Sequence, residues 1–367
     1  MVLLMNTHSK MTQDKYMKKN TKSAIKFSVA VLAVVLCVSF LVSSIFGSRV
    51  TAVASVKAEP ASFAHSTARG MAVLEVSSGR LLYGKNETTR LSMASTTKIV
   101  TAITVLENTD DLDTPFKVHP KSIGIEGTSI YLQRDEMLTV RELLYGLMLR
   151  SGNDASVALA LRVAPSIEAF AELMNELSRK AGAMDSSWKN PHGLDEDGHY
   201  TTALDLAKIS AYAMRNETFR EIVGTKNIKI NGAEYPRVMQ NKNRLLSSLD
   251  GCVGVKTGFT KKAGRTYVGA REYNGMTVVC VVLNCGPMFP ESAELMKKAA
   301  TEFKFTKLLS ADEFITMGDF NQTVGIARED FFYPLKAGEN VRYLFNDDIV
   351  TITLDGKEIY KANFNKL

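Results

Sequence analysis

The chain has 367 residues, 45 lysines and arginines against 39 aspartates and glutamates, a net charge of +6 and 45% apolar residues. That composition supplies a sizeable core and excludes disordered, collagenous and disulfide-dense classes. Residues 1–26 hold six lysines against Asp14 alone, so the remainder is close to neutral and no nucleic-acid-binding surface is expected.

Taken in order, the chain begins with that basic cytoplasmic segment (1–26). Phe27–Phe46 then forms an uncharged run of 20 residues, long enough to cross a bilayer at about 1.5 Å per residue. The preceding lysines place the N-terminus inside and the rest of the chain outside the membrane. The run serves either as a transmembrane anchor or as a signal peptide. Its length suits retention, whereas Ala52-Val53-Ala54 and Val56-Lys57-Ala58 offer small residues for cleavage. A linker follows (47–63). Met71–Val76 and Arg80–Tyr83 predict a hairpin around Ser77-Ser78-Gly79. An apolar helix starts at Met93-Ala94-Ser95-Thr96-Thr97-Lys98 and continues through Ile99, Val100, Ile103 and Leu106.

Residues 108–135 suggest loops and a small hairpin. Val140–Leu149 is helical in pattern and stops at Ser151-Gly152-Asn153, after which Asp154 is expected to cap a helix over Ala155–Val163. Ser166 caps a further helix to about Ala181, and Thr202–Met214 forms another. Strand character returns at Cys252–Thr260, and Arg265–Arg271 and Met276–Asn284 flank the type I′ dipeptide Asn274-Gly275. Pro290 starts a helix expected to reach about Phe305. Short alternating strands occupy the rest, so a main domain over 64–308, with a helical insertion at about 110–225, precedes a small β-rich domain over 309–367. The fold class is α+β: an antiparallel sheet flanked by helices.

Beyond Cys37, the cysteines are Cys252, Cys280 and Cys285, whose spacing is not that of a zinc site. Buried free thiols are expected, with one disulfide as the alternative. Five scattered histidines (His8, His65, His119, His192, His199) give no metal-ligand spacing, so neither metal nor cofactor is expected.

Three short patterns occur in order: Ser95-Thr96-Thr97-Lys98, Ser151-Gly152-Asn153 and Lys256-Thr257-Gly258. On a helix, residues three apart share a face, so Ser95 and Lys98 offer a nucleophile and a base without a histidine. Any one pattern is common, but the ordered trio marks penicillin-binding proteins and serine β-lactamases. With Asn190-Pro191-His192-Gly193-Leu194 and Gly254-Val255-Lys256-Thr257-Gly258-Phe259-Thr260, the chain resembles the serine-type D-alanyl-D-alanine carboxypeptidases, the low-molecular-mass penicillin-binding proteins.

The resemblance implies a β-lactamase/transpeptidase-like fold. It also implies release of the terminal D-alanine from peptidoglycan pentapeptide stems through an acyl-Ser95 intermediate trapped by β-lactams. Lys98 would be the base, its amine kept neutral by burial and by Lys256. Ser151 would pass a proton to the leaving amine, and Asn153 would hold a substrate amide. Lys256 and Thr257 would take the terminal carboxylate, and Gly258 would let the substrate lie along the strand. The oxyanion hole would be the N–H groups of Ser95 and Phe259. His192 and Asp195 are expected to be structural.

Two features depart from the family. The arginine expected to bind the carboxylate is missing from Asn284-Cys285-Gly286-Pro287-Met288, with Arg265 as a candidate substitute, and there is no C-terminal amphipathic helix. The alternatives are a β-lactamase or other acyl transferase, and an idle wall-binding scaffold. The first lacks a suitable Glu-x-x-Leu-Asn: Glu196 is without that context, and Glu172-Leu173-Met174-Asn175 comes too early. Anchored by residues 27–46, the enzyme would act on the outer membrane face. If the segment is cleaved, it would be released to the wall.

Overall fold

The computed structural model describes residues 66–230, 235–312, 314–317, 322–346 and 348–366. The expected membrane run and the linker lie outside the described residues. Among the described residues no helix is long and apolar enough to cross a membrane.

Strands β1 (Gly70–Glu75) and β2 (Leu81–Lys85) form the expected first hairpin. A short tight turn, Ala94–Thr96, leads into helix α1 (Thr97–Glu107). Strands β3 (Phe116–Lys117) and β4 (Met137–Leu138) pair as a small hairpin. Helix α2 (Val140–Tyr145) continues into a wider turn over Gly146–Arg150, which ends at Ser151 in the left-handed region (φ 65°). Helices α3 (Asn153–Val163), α4 (Ile167–Lys180), α5 (Ala203–Ala213) and α6 (Glu217–Gly224) complete the helical block. Ser166 caps α4 through its hydroxyl, as expected, and Thr202, expected as the first residue of α5, lies just outside it and caps it in the same way.

Strands β5 (Asn227–Ile230) and β6 (Arg237–Gln240) form a further hairpin, followed by α7 (Leu245–Ser248). Then come β7 (Cys252–Thr260), β8 (Gly264–Tyr273) and β9 (Met276–Leu283). Asn274 and Gly275 take φ 47° and 77°, the geometry of the type I′ turn that their sequence predicts. Helix α8 (Met288–Glu302) ends before the expected Phe305, because β10 (Phe303–Leu309) begins there and pairs with a later strand.

The main sheet has the order β2-β1-β9-β8-β7, with every neighbour antiparallel. Side chains alternate between its faces with period two. Ala72, Leu74, Val279 and Val281 face the helical block around α1, while Met71, Val73, Val278, Cys280 and Val282 face α8 through Leu295 and Met296. Both faces are covered, so the central strands read as continuous apolar runs. β7 lies at the sheet edge, and its free side is where the helical block meets it.

The chain divides into two compact units. One contains β11 (Phe314–Met317), β12 (Gln322–Ile326) and the terminal pair Asn365–Lys366, joined as a three-stranded sheet. The other contains the elements from β1 to β10 and four further strands. Strand β13 (Phe331–Lys336) pairs with β10. Strands β14 (Val341–Asn346), β15 (Ile349–Leu354) and β16 (Lys357–Asn363) form an antiparallel sheet. Cys280 and Cys285 are buried and Cys252 is half-buried, all as free thiols.

Candidate active site

The turn before α1 sets Ser95 in place. Ala94 sits at φ 51°, a conformation that an alanine adopts only under constraint. The constraint comes from two sides. Thr96 and Thr266 both donate their hydroxyls to the Met93 carbonyl, at 2.7 and 2.9 Å. On the other side, the Asn190–Leu194 loop presses Gly193 against Ala94: a methyl at Gly193 (φ 84°) would lie 2.0 Å from the Ala94 carbonyl oxygen. The glycine of the Asn-Pro-His-Gly-Leu pattern is thus required by close backbone approach.

One turn along, Lys98 is fully buried. Its Nζ lies 3.0 Å from Ser95 Oγ, 2.7 Å from Asn153 Oδ1 and 2.6 Å from the His192 carbonyl oxygen. All three partners are uncharged. Burial first, then the charges of Lys256 and Lys242, hold its pKa well below that of a free lysine, against a small opposing pull from Asp154.

Asn153 is fixed at both ends, since its Nδ2 donates to the Glu126 carbonyl at 2.6 Å. Its backbone N–H donates to the Thr128 carbonyl at 2.7 Å. Asp154 was expected to cap α3, yet it lies inside the first turn, where Gly152 is the cap. Its buried carboxylate instead accepts from Ser129 Oγ and from the amides of Ile130 and Leu132. The Ser-Gly-Asn-Asp turn therefore holds the 126–132 segment as one wall of the site. Ser151 is buried, and its hydroxyl has no hydrogen-bond partner among the described residues.

The third segment comes from β7. Lys256 is buried, and its amine donates to the Thr257 carbonyl at 2.9 Å. Burial and the Lys242 charge bring its pKa down to about 7. Gly258 lies directly against the first segment: a methyl there would sit 2.4 Å from Thr266 Oγ1 and 2.9 Å from the Ser95 amide nitrogen. Phe259 follows, with 66% of its surface exposed. The structure thus brings Ser95, Lys98 and Asn153 into direct contact and lays Gly258 against them. Lys256 is near enough to act on Lys98 through charge. Arg265 pairs in register with Phe259, three residues past Lys256, and among the described residues its exposed guanidinium donates only to the Gly286 carbonyl, at 3.4 Å.

His192 contributes its backbone, as its expected structural character implies. Its ring is neutral, with a pKa lowered to about 3 by burial, Lys98 and His199. His199 is likewise lowered to about 4, chiefly by burial. Its Nδ1 accepts from the Lys189 amide at 3.0 Å, so Nε2 carries the proton and donates to Thr97 Oγ1 at 3.0 Å. Asp195 accepts from Thr260 Oγ1 at 3.2 Å. Three participants escaped the sequence reading: the carbonyls of Glu126 and His192, and Lys242. The first two are backbone groups that no side-chain pattern marks. Lys242 sits in Asn241-Lys242-Asn243, a turn whose asparagines bond the backbone at Val223, Thr225 and Leu245.

Residues 55–286 match a family model for D-alanyl-D-alanine carboxypeptidase, peptidase S11. The chain belongs to the D-alanyl-D-alanine carboxypeptidase family. Membership makes it a serine-type carboxypeptidase of the penicillin-binding class of hydrolases, and neither alternative reading is favoured by any relative found. It is 32% identical over 235 residues to D-alanyl-D-alanine carboxypeptidase DacF of Bacillus subtilis, covering 63% of this chain and 60% of that one. It is 35% identical over 222 residues to the D-alanyl-D-alanine carboxypeptidase of Streptomyces sp. strain K15, covering 56% and 76% of the two chains. Among solved structures, penicillin binding protein 5 of Haemophilus influenzae superposes with TM-score 0.71 at 26% identity, over 85% of this chain and 98% of that one. The K15 DD-transpeptidase superposes with TM-score 0.59 at 31% identity, over 67% and 97%. These carboxypeptidase relatives share the expected mixed fold.

Proposed function

We propose that the chain removes the terminal D-alanine from peptidoglycan pentapeptide stems through an acyl-Ser95 intermediate. The contacts of Lys98 carry this reading. A neutral amine has two N–H bonds and one lone pair. The carbonyls of Asn153 and His192 take the two N–H bonds, which leaves the lone pair for the Ser95 hydroxyl. Lys98 is thereby a base aimed at its nucleophile, without a histidine.

Ser95 Oγ attacks the carbonyl carbon of the penultimate D-alanine while its proton passes to Lys98. The developing oxyanion is held by the N–H groups of Ser95 and Phe259. The C–N bond then breaks, and the proton reaches the departing D-alanine amine through the Ser151 hydroxyl. Water next attacks the ester carbon, gives its proton to Lys98 and releases the shortened peptide with Ser95 restored. Lys256 and Thr257 take the terminal carboxylate. Arg265 stands roughly 10 Å further along the strand at about 3.3 Å per residue. Lys242, which acts electrostatically on both buried amines, is better placed to supply the charge of the missing arginine. Asn153 orients Lys98 as well as the substrate. Residues 27–46 either tether the enzyme to the extracytoplasmic face of the cell membrane or, where cleaved near Ala54–Ala58, release it to the wall.

A peptide ending in D-Ala-D-Ala should release free D-alanine with the wild type and none with Ser95→Ala. A penicillin should be retained as a slowly released ester. Rapid penicillin turnover without D-alanine release would overturn the peptidase reading in favour of a β-lactamase.

A further inference from the structure

Where β1, β7, β8 and β9 converge at one end of the sheet, a cavity of about 180 Å³ is lined by Arg69, Arg90, Leu91, Ser92, Lys262, Ala263 and Asn284. Three of these seven residues are cationic, and none is acidic. Arg90 is fixed in place, paired with Asp185 and lying 4.7 Å over the Tyr200 ring. Arg69 and Lys262 are exposed and make no ion pair among the described residues. The two charges without an ion pair, Arg69 and Lys262, raise the local concentration of anions, and Arg90, already paired with Asp185, adds a further donor edge. Ser92 and the Asn284 carboxamide add neutral polar groups to the lining. Asn284 reaches the cavity because Gly264 leaves room: a methyl there would lie 2.8 Å from Asn284 Oδ1.

The position relative to β7 identifies the anion. On the function proposed above, on which this inference rests, the terminal carboxylate lies at Lys256–Thr257 and the scissile carbonyl at Phe259. The substrate therefore runs antiparallel to β7, and residues upstream of the scissile bond continue past Thr260 to the Lys261–Ala263 turn. β7 ends one residue past Phe259, at Thr260, and the turn that follows carries Lys262, within the reach of two or three extended substrate residues. We propose that this pocket is an anion subsite that selects stem peptides carrying a free carboxylate two or three residues upstream of the scissile bond. Its contacts are charge-assisted hydrogen bonds from Arg69, Arg90 and Lys262.

An isosteric peptide pair tests this. One is L-Ala-γ-D-Glu-L-Lys-D-Ala-D-Ala with its glutamyl α-carboxylate free, and the other is the same peptide with that group as the carboxamide. D-alanine release is followed for the wild type, Arg69→Gln/Lys262→Gln and Lys262→Arg. The wild type should favour the free carboxylate about tenfold in kcat/KM, through KM. The double variant should lose that preference yet hydrolyse the amidated peptide as the wild type does, and Lys262→Arg should retain it. Equal use of both peptides by the wild type, or a preference that survives in the double variant, overturns the subsite while leaving the peptidase reading standing. A uniform loss on both peptides assigns the pocket to the fold and also overturns it. Release of D-alanine from neither peptide by the wild type overturns both readings.

Discussion

Among the described residues Lys98 has no carboxylate partner, and that decides how the site should respond to pH. Its pKa is held down by burial and by the charges of Lys256 and Lys242. Removing either charge should raise it, so a higher pH is needed to free the lone pair. For Lys242→Gln, the acid limb of the penicillin acylation rate should move to higher pH, with the plateau rate less affected. An unmoved limb would mean that Lys98 is not the titrating base. Lys98→Arg should lower acylation by at least 10³-fold at any accessible pH, because a guanidinium does not deprotonate. At this scale the sequence was legible where side chains recur in patterns: Ser95, Lys98, Asn153 and Gly258 all meet. It was silent on the Glu126 and His192 carbonyls because a backbone oxygen carries no residue identity. It also misread Asp154, whose cap-like position conceals three hydrogen bonds to a segment more than twenty residues upstream.

Elements reach the site through glycines, and the margins there are small. Gly258→Ala would force a methyl to 2.4 Å from Thr266 Oγ1 and 2.9 Å from the Ser95 amide. β7 must then retreat from the nucleophile, and a displacement near 1 Å costs about 10²-fold. We expect that loss in acylation rate with a melting temperature lowered by only a few degrees. Unchanged acylation would show that the strand does not set the groove. Asp154→Ala should be worse for stability, by about 3 kcal/mol in urea unfolding, because buried amides lose a charged acceptor. The strands, the capped helices and the Asn274-Gly275 turn were legible because local pattern and tertiary role agree. The end of α8 was not. Phe303 continues the apolar stripe of Leu295, Met296 and Ala299, but Phe305 stacks on Phe332 at 5.3 Å from the paired strand β13, a partner distant in sequence.

Across the whole molecule, Arg80 ties the hairpin β1–β2 to the strand pair β10–β13, beside the edge contact of Tyr83 with Phe303. Arg80 pairs with Glu339, donates to the Pro334 carbonyl and lies between the Phe303 and Tyr333 rings at 5.2 and 5.3 Å. Only 7% of the Glu339 side chain is exposed, so Arg80→Ala should cost about 3 kcal/mol by leaving that charge unpaired. Penicillin acylation should survive in the folded variant. Stability should also depend on pH in an unusual sense. Lys256 titrates near 7 in the fold and Lys98 well below a free lysine, so the unfolded chain binds more protons than the folded one above pH 7. Stability from these groups therefore rises with pH, and wild type should melt higher at pH 8.5 than at 7.0. Lys256→Met should reduce that rise and leave the part due to Lys98.

On the proposed function, three segments distant along the chain form one groove in which Ser95 is the nucleophile. Labelled penicillin, followed by digestion and mass mapping of the modified peptide, tests it most directly. The label should fall on Ser95 alone and be absent from Ser95→Ala. A label on any other residue, or an unlabelled wild type, would contradict the account.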